Sequence, residues 1–119
     1  MEDSKKWLEQ AVKDLDTAKY NLQGGRKEAG IFFLQQAAEK ALKAAYIKKF
    51  RKLFKIHDLV LLSKRIKAPQ KILEYCKELS PAYQYTRYPD VTPVRNLDDL
   101  SKKFINYVEE ILKWVKKII

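Results

Sequence analysis

Apolar side chains recur every three or four residues along most of this chain. Segment 3–23 carries one such series: Trp7, Ala11, Leu15, Ala18 and Leu22. Segment 97–118 carries another: Leu100, Phe104, Tyr107, Ile111, Val115 and Ile118. This spacing indicates amphipathic helices, and only 3 Gly and 4 Pro among 119 residues interrupt it. The sequence therefore predicts an all-α fold, an up-and-down bundle of four to five helices that forms one domain over residues 1–119.

Capping residues and breakers set the expected bounds of the helices. Gly24-Gly25 ends the first helix, and the segment 26–50 is apolar or small around much of its circumference, which favours a central position. Asp58 is a candidate cap for a short helix over 59–66, and Pro69 begins another that stops at Ser80-Pro81. Asn96 is a candidate cap for the last helix. Residues 82–95, with three tyrosines and two prolines, are predicted to form an irregular, packed or functional loop.

Composition bounds the function classes. The net charge of +10 attracts polyanions, although a lysine-rich solvated surface of the thermophile type explains it equally well. One His and one Cys cannot form a four-ligand transition-metal site, so we expect no metal and no cofactor. Cys76 lies on an apolar stripe and is predicted to be a buried small hydrophobe. Residues 1–6 lack a signal core and no apolar run reaches a membrane span, so we expect a cytoplasmic protein with no membrane partner.

An ordered set of motifs resembles the HEPN family over roughly residues 4–115. The most specific motif is Gln35-Gln36-Ala37-Ala38-Glu39-Lys40-Ala41-Leu42-Lys43-Ala44. Before it come Trp7, Ala11, Asp14-Leu15, Ala18 and Leu22, and after it come His57-Asp58-Leu59, Leu62 and Arg87-Tyr88-Pro89-Asp90. The resemblance implies a helical bundle that pairs as a homodimer and works beside a minimal nucleotidyltransferase, as in toxin–antitoxin pairs. It also implies either nucleotide binding or metal-independent ribonuclease activity.

The family's ribonucleases use an Arg and a His separated by four to six residues near the end of the fold. Here the only histidine is His57, and five residues separate it from Arg51. On one continuous helix these two side chains would lie about 120° apart, but a loop would allow them to converge. If the protein is an endoribonuclease, the catalytic candidates are therefore His57, Arg51 and Arg87.

The preferred interpretation is a nucleotide- or RNA-binding accessory protein with a nucleotidyltransferase partner. The candidate phosphate and base contacts are Lys40, Lys43, His57, Arg87 and Tyr88. His57 offers an imidazole donor, Arg87 a planar fork for phosphate, and Tyr88 a stacking face. The alternatives are a metal-independent endoribonuclease toxin and a structural dimerisation module. Glu39 and Lys43 form either a surface ion pair or part of a cleft with His57 and Arg87.

Overall fold

The computed structural model describes residues 3–91 and 96–119, and within them the chain is helical and contains no strand. The helices are α1 Asp3–Gln23, α2 Lys27–Phe50, α3 Leu59–Arg65, α4 Gln70–Leu79, α5 Ala82–Tyr85 and α6 Leu97–Ile118. Contacts between side chains set their directions. Trp7 lies near Lys43 whereas Leu22 lies near Gly30, so α1 runs antiparallel to α2. Lys71 meets Glu110 whereas Glu78 meets Lys103, so α4 runs antiparallel to α6. The predicted all-α up-and-down bundle is confirmed.

The ends of the helices follow the predicted capping signals. Gly25 adopts a φ of 79°, and the amide of Arg26 donates to the carbonyl of Asn21 at 2.8 Å, so α1 closes with a Schellman turn. The Asp58 carboxylate accepts from the amide of Leu61 at 3.0 Å. The Asn96 side chain accepts from the amide of Asp98 at 2.7 Å. These caps satisfy amide groups that have no partner inside the helix.

The segment 82–95 differs in part from the prediction of an irregular loop. Ala82–Tyr85 forms one helical turn, because Pro81 has a φ of −62° that suits a helix start and its carbonyl accepts from the amide of Gln84 at 3.0 Å. The hydroxyl of Thr86 then donates to the carbonyl of Ala82 and closes the turn. Residues 92–95 of the predicted loop lie outside the described residues.

Helix α2 lies at the centre of the bundle. Its buried residues run almost without a break from Gly30 to Ile47, and it contacts α1, α3, α5 and α6. Small residues, including Ala37, Ala41 and Ala44, allow these neighbours to approach closely. Cys76 is fully buried in the same core, as predicted, and burial raises the pKa of its thiol to about 12. The central position of α2 also places the polar side chains of Gln35, Glu39 and Lys43 where other elements cover them.

Candidate functional site

The connection between α2 and α3 brings His57 back onto the side of α2. Arg51 closes α2 in the left-handed conformation with a φ of 60°, which reverses the chain direction. Phe54 is the buried residue of the connection, and its ring packs on Tyr46 with centroids 4.9 Å apart. Because this aromatic contact fixes the middle of the connection, the chain returns along α2 and His57 reaches Glu39.

Glu39, Lys43 and His57 form a charged cluster on α2. The ammonium of Lys43 lies 2.9 Å from Oε2 of Glu39, and Nδ1 of His57 lies 2.7 Å from the same oxygen. The side chains of Glu39 and Lys43 are 5% and 3% exposed, whereas that of His57 is 70% exposed. Glu39 and Lys43, predicted to form either a surface ion pair or part of a cleft, therefore form a buried ion pair, and His57 lies between this pair and solvent.

The positions of the protons in this cluster follow from which of its groups can donate a hydrogen bond and which can accept one. Lys43 only donates, and its Nζ lies 3.1 Å from Nδ1 of His57 and 5.4 Å from the ring centroid of Trp7. The shorter contact, Nδ1 to Glu39 at 2.7 Å, is satisfied when Nδ1 carries the proton and donates it to the carboxylate. In this arrangement Nε2 is the ring nitrogen left for a ligand. A carboxylate that fixes a histidine in this way sets both its tautomer and its ring orientation.

A groove of about 640 Å³ opens beside His57. One wall comes from the end of the α2–α3 connection and the start of α3, the other from the end of α4 and from α5, and α2 contributes Gln35. Its lining residues are Gln35, Ile56, His57, Asp58, Val60, Ser80, Pro81, Tyr83 and Gln84. Amide, imidazole, hydroxyl and carboxylate groups thus share this concavity with apolar side chains, a mixture typical of small-molecule sites.

Arg87 lies next to the α5 wall of this groove. Its Nη1 donates to the hydroxyl of Tyr83 at 2.8 Å, and its guanidinium lies 4.8 Å from the Tyr83 ring centroid and 5.8 Å from that of Phe32. Within the described residues Arg87 makes no ion pair with a carboxylate. Four of its five N–H donors are therefore not used by the Tyr83 hydroxyl.

The structure places the other predicted site residues elsewhere. The ammonium of Lys40 pairs with the buried carboxylate of Asp14 at 2.5 Å, on the side of α2 that faces α1. Tyr88 is 49% exposed and does not line the groove. Arg51 stands at the end of α2, about 12 Å along the helix axis from Lys43. Among the described residues, the polar partners of His57 are Glu39 and Lys43, so no arginine pairs with it.

The groove was expected to be bordered by the 51–58 connection, helix α2 and the loop over 83–90, but its lining residues Tyr83, Gln84 and Gln35 were not among the predicted site residues. Tyr83 and Arg87 are four residues apart, a spacing that joins side chains on a helix. This four-residue spacing carried no weight in the sequence analysis, because residues 82–95 were predicted to be irregular rather than helical. Gln35 belongs to the most specific family motif, but nothing in the motif indicates which neighbour it faces.

Some kinds of site are missing from the part of the chain that the structure describes. No three His, Cys, Asp or Glu side chains come together there as a metal site requires. No helix among residues 3–91 and 96–119 has the length and apolar character needed to cross a membrane.

The chain is similar to known HEPN proteins over its whole length. A model of the HEPN domain matches residues 4–118. The crystal structure of TT1696 from Thermus thermophilus is similar with a TM-score of 0.86 and 27% identity, and the match covers 100% of both chains. The crystal structure of ST0689, described as an archaeal HEPN homologue, is similar with a TM-score of 0.81 and 32% identity, again over 100% of both chains. No curated protein matches significantly.

Proposed function

This chain belongs to the HEPN family, and from that premise we propose that it is a nucleotide- or RNA-binding accessory protein acting with a nucleotidyltransferase partner. The observation that carries the binding proposal is the groove between His57 and Tyr83. One wall presents a histidine fixed by a buried carboxylate, and an arginine with no carboxylate partner among the described residues lies beside the other.

Arg87 supplies the phosphate contact in this proposal. A guanidinium outside any ion pair offers parallel N–H donors that match two phosphate oxygens. Its position over Tyr83 holds the fork in place, so less side-chain entropy is lost when phosphate binds. The net charge of +10 adds a long-range attraction for the same anion.

His57 and the polar lining supply the nucleoside contacts. Nε2 of His57 is the ring nitrogen not engaged by Glu39, and with the proton on Nδ1 it accepts a hydrogen bond from a ribose hydroxyl. The exposed amide of Gln84 offers a hydrogen bond to a base edge, and the guanidinium plane of Arg87 offers a stacking surface. Lys43 acts indirectly, because its buried ammonium balances the charge of Glu39 and holds the carboxylate in place beneath His57.

The test is a titration of fluorescently labelled ATP and of a short labelled RNA, followed by anisotropy at low and at moderate salt. Arg87→Ala should weaken binding by about 1–3 kcal/mol, the range for a charge-assisted hydrogen bond to phosphate. Arg26→Ala is the matched control, because Arg26 is exposed and makes no side-chain capping bond at α2. If both variants weaken binding equally, the binding comes from diffuse positive charge and the groove is not the site.

A metal-independent endoribonuclease is the second candidate function. It is favoured by the Glu39–His57 contact, since a carboxylate behind a histidine is an arrangement that supports general-base chemistry. The absence of an arginine partner for His57 within the described residues weighs against it. Incubation of the wild type with a labelled RNA in excess chelator tests this activity. Cleavage that His57→Ala abolishes would replace the binding proposal with the ribonuclease one.

The homodimer belongs to the same proposal. Phe50, Leu53 and Ile56 follow one another at three-residue spacing and are 40%, 40% and 55% exposed. An interface of about 800 Å² per partner would cover them. Sedimentation at micromolar concentration should give a dimer, and Leu53→Ser with Ile56→Ser should shift it towards monomer. A wild type that sediments only as a monomer would contradict the dimer.

Co-expression with a candidate nucleotidyltransferase, followed by gel filtration, tests the partner separately.

A further inference from the structure

The C-terminal ends of α2, α3 and α6 lie at one end of the bundle and carry many positive charges. Five of these side chains define what we call the basic pole: Lys48, Lys49, Arg65, Lys116 and Lys117. All five are exposed, and none makes an ion pair with a carboxylate among the described residues. By contrast, Lys19, Lys27, Lys71 and Lys103 elsewhere on the surface are paired with acidic side chains.

A groove of about 330 Å³ lies within the basic pole. Its apolar lining consists of Ala45, Ile66, Trp114 and Ile118, and its two charged residues are Lys48 and Lys49. Trp114 is only partly buried and Ile118 is 43% exposed. Apart from the indole N–H, every polar side-chain atom in the lining belongs to a lysine. Apolar side chains therefore meet solvent in the middle of a cluster of cations that the described residues leave without ion pairs.

Helix dipoles account for only part of this arrangement. Lysines in the last turns of α2 and α6 interact favourably with the partial negative charge at helix C-termini. A lysine on any side of the last turn would make this interaction with the helix dipole. The interaction does not explain why a concave apolar surface containing an indole lies between the two helix ends.

We propose that this groove binds an acidic peptide segment of a protein partner, with a leucine- or phenylalanine-sized side chain against Trp114 and carboxylates on Lys48 and Lys49. Charge complementarity with the basic pole identifies an anionic occupant. The apolar lining identifies an anchor side chain, in the manner of an acidic amphipathic segment laid into a hydrophobic groove. The site is separate from the groove at His57, because no residue lines both.

Two other occupants fit these observations less well. A second copy of this chain bound through the same pole would bring lysines against lysines, and like charges facing each other across an interface are unfavourable. A nucleic acid would meet the cations and could stack a base on Trp114, but Ile66 and Ile118 offer no hydrogen bonds to the polar edges of that base. Polar groups buried without such bonds are costly, whereas an aliphatic anchor has none to satisfy.

The experiment measures anisotropy with three labelled probes against the wild type. They are a short acidic peptide with one leucine, the same peptide with serine in place of leucine, and an oligouridylate of equal charge. The leucine peptide should bind most tightly, and in a Trp7→Phe variant, whose one remaining tryptophan is Trp114, its binding should shift the indole emission to shorter wavelength. Equal binding of the leucine and serine peptides would overturn the groove. Tighter binding of the oligouridylate would overturn the peptide proposal in favour of a nucleic acid.

Paired variants locate the site. Lys48→Gln with Lys49→Gln should weaken the leucine peptide about tenfold, since each lysine loses a charge-assisted contact. Arg26→Gln with Lys102→Gln removes the same charge at the other end of the bundle, from two exposed residues without ion pairs among the described side chains, and should have little effect. Equal weakening by both pairs would overturn the proposal. These substitutions change exposed side chains only, so retained helical circular dichroism is expected in every variant.

Discussion

At the scale of single residues, the ion pair between Glu39 and Lys43 stands out because both charges are removed from solvent. Their side chains are 5% and 3% exposed, and only Oε2 of Glu39 has partners, while Oε1 has no hydrogen bond among the described residues. Transfer of two charges from water to such a place is costly, and their mutual attraction repays the cost only while both are present. The pair is therefore a position of high sensitivity rather than a large net gain in stability.

Lys43→Met tests this sensitivity. It removes the lysine charge and leaves the buried Glu39 carboxylate with His57 as its remaining contact, so the free energy of unfolding should fall by about 3–5 kcal/mol. Lys19→Met is the control, because Lys19 and Glu109 are 42% and 49% exposed and such pairs contribute about 0–1 kcal/mol. Urea unfolding followed by circular dichroism measures both. Adding Glu39→Gln to Lys43→Met should recover part of the loss, and similar losses in the two single variants would contradict the argument.

Tyr85 carries a second buried polar group, a hydroxyl with no hydrogen-bond partner among the described residues. Burial raises its pKa from 10.0 to about 12. Between these values the unfolded chain has lost the phenolic proton and the folded chain retains it. The free energy of unfolding therefore falls as pH rises from 10 towards 12. The thiol of Cys76, whose pKa burial also raises to about 12, acts in the same direction from its ordinary value of 9.0 upwards.

Tyr85→Phe should accordingly leave the protein as stable as the wild type near neutral pH, or more stable, because it removes a hydroxyl that is buried without a hydrogen bond. It should also flatten the loss of stability in alkali. Urea midpoints at about pH 7 and about pH 11 measure both effects. Tyr20→Phe, at a side chain that is 77% exposed, is the control and should follow the wild type. A Tyr85→Phe variant with the full alkaline loss would show that other groups cause it.

At the scale of elements, the close approach of α1 and α2 depends on Gly30. A Cβ at this position would overlap the side chain of Leu22 and would lie 3.2 Å from the carbonyl oxygen of Ala18. The Leu22 side chain has rotamers to escape into, but the carbonyl belongs to the backbone of α1. The glycine thus sets the separation between α1 and the helix that carries the most specific sequence motif.

Gly30→Ala should therefore destabilise the protein by about 1–3 kcal/mol through overpacking, although alanine is the better helix former by about 1 kcal/mol. Gly24→Ala provides the contrast, because a Cβ there meets only ordinary contacts, the nearest at 3.6 Å. That variant should match or slightly exceed the wild type. Thermal unfolding of both variants tests this prediction. An unchanged melting temperature for Gly30→Ala would mean that α1 shifts away from α2 at little cost in stability.

The comparison between sequence and structure is also clearest for the elements. The bounds of α1, α2 and α6 agree with the predicted segments within a residue, because long apolar periodicity and glycine or asparagine caps specify them locally. The turn Ala82–Tyr85 was missed, because four residues are too few to show a period. His57 and Glu39 were proposed to share a cleft, but their contact depends on the packing of Phe54 against Tyr46. No local pattern encodes such a contact between a loop and a helix.

The same limit explains the different positions of Lys40 and Lys43. The i,i+4 spacing indicates that Glu39 is the partner of Lys43, but no local pattern indicates that Asp14 of α1 takes Lys40. Whether Lys40 meets Asp14 depends on how α1 is rotated about its own axis, a property of the assembled bundle. Residue types and helix faces are therefore predictable here, while the pairings that define the site belong to the tertiary structure.

At the scale of the whole molecule, the net charge of +10 is unevenly distributed and partly unneutralised. The ion pairs on the sides of the bundle are mostly exposed, and each contributes at most about 1 kcal/mol. The basic pole, in contrast, concentrates cations with no carboxylate partner among the described residues. Their mutual repulsion opposes the compact state and acts over about 10 Å at 0.1 M ionic strength. When salt is added, the screening of this repulsion should therefore stabilise the folded protein more than the weakening of the exposed ion pairs destabilises it.

Sodium chloride should then raise the melting temperature, by about 2–5 °C between low and roughly 0.3 M salt, because screening relieves repulsion more than it weakens exposed pairs. Lys116→Gln with Lys117→Gln removes two charges from the basic pole and should respond less to salt than the wild type. Differential scanning calorimetry with sodium chloride and choline chloride separates screening from specific ion effects. A melting temperature that falls with both salts would show that pairs such as Lys19–Glu109 dominate the surface electrostatics.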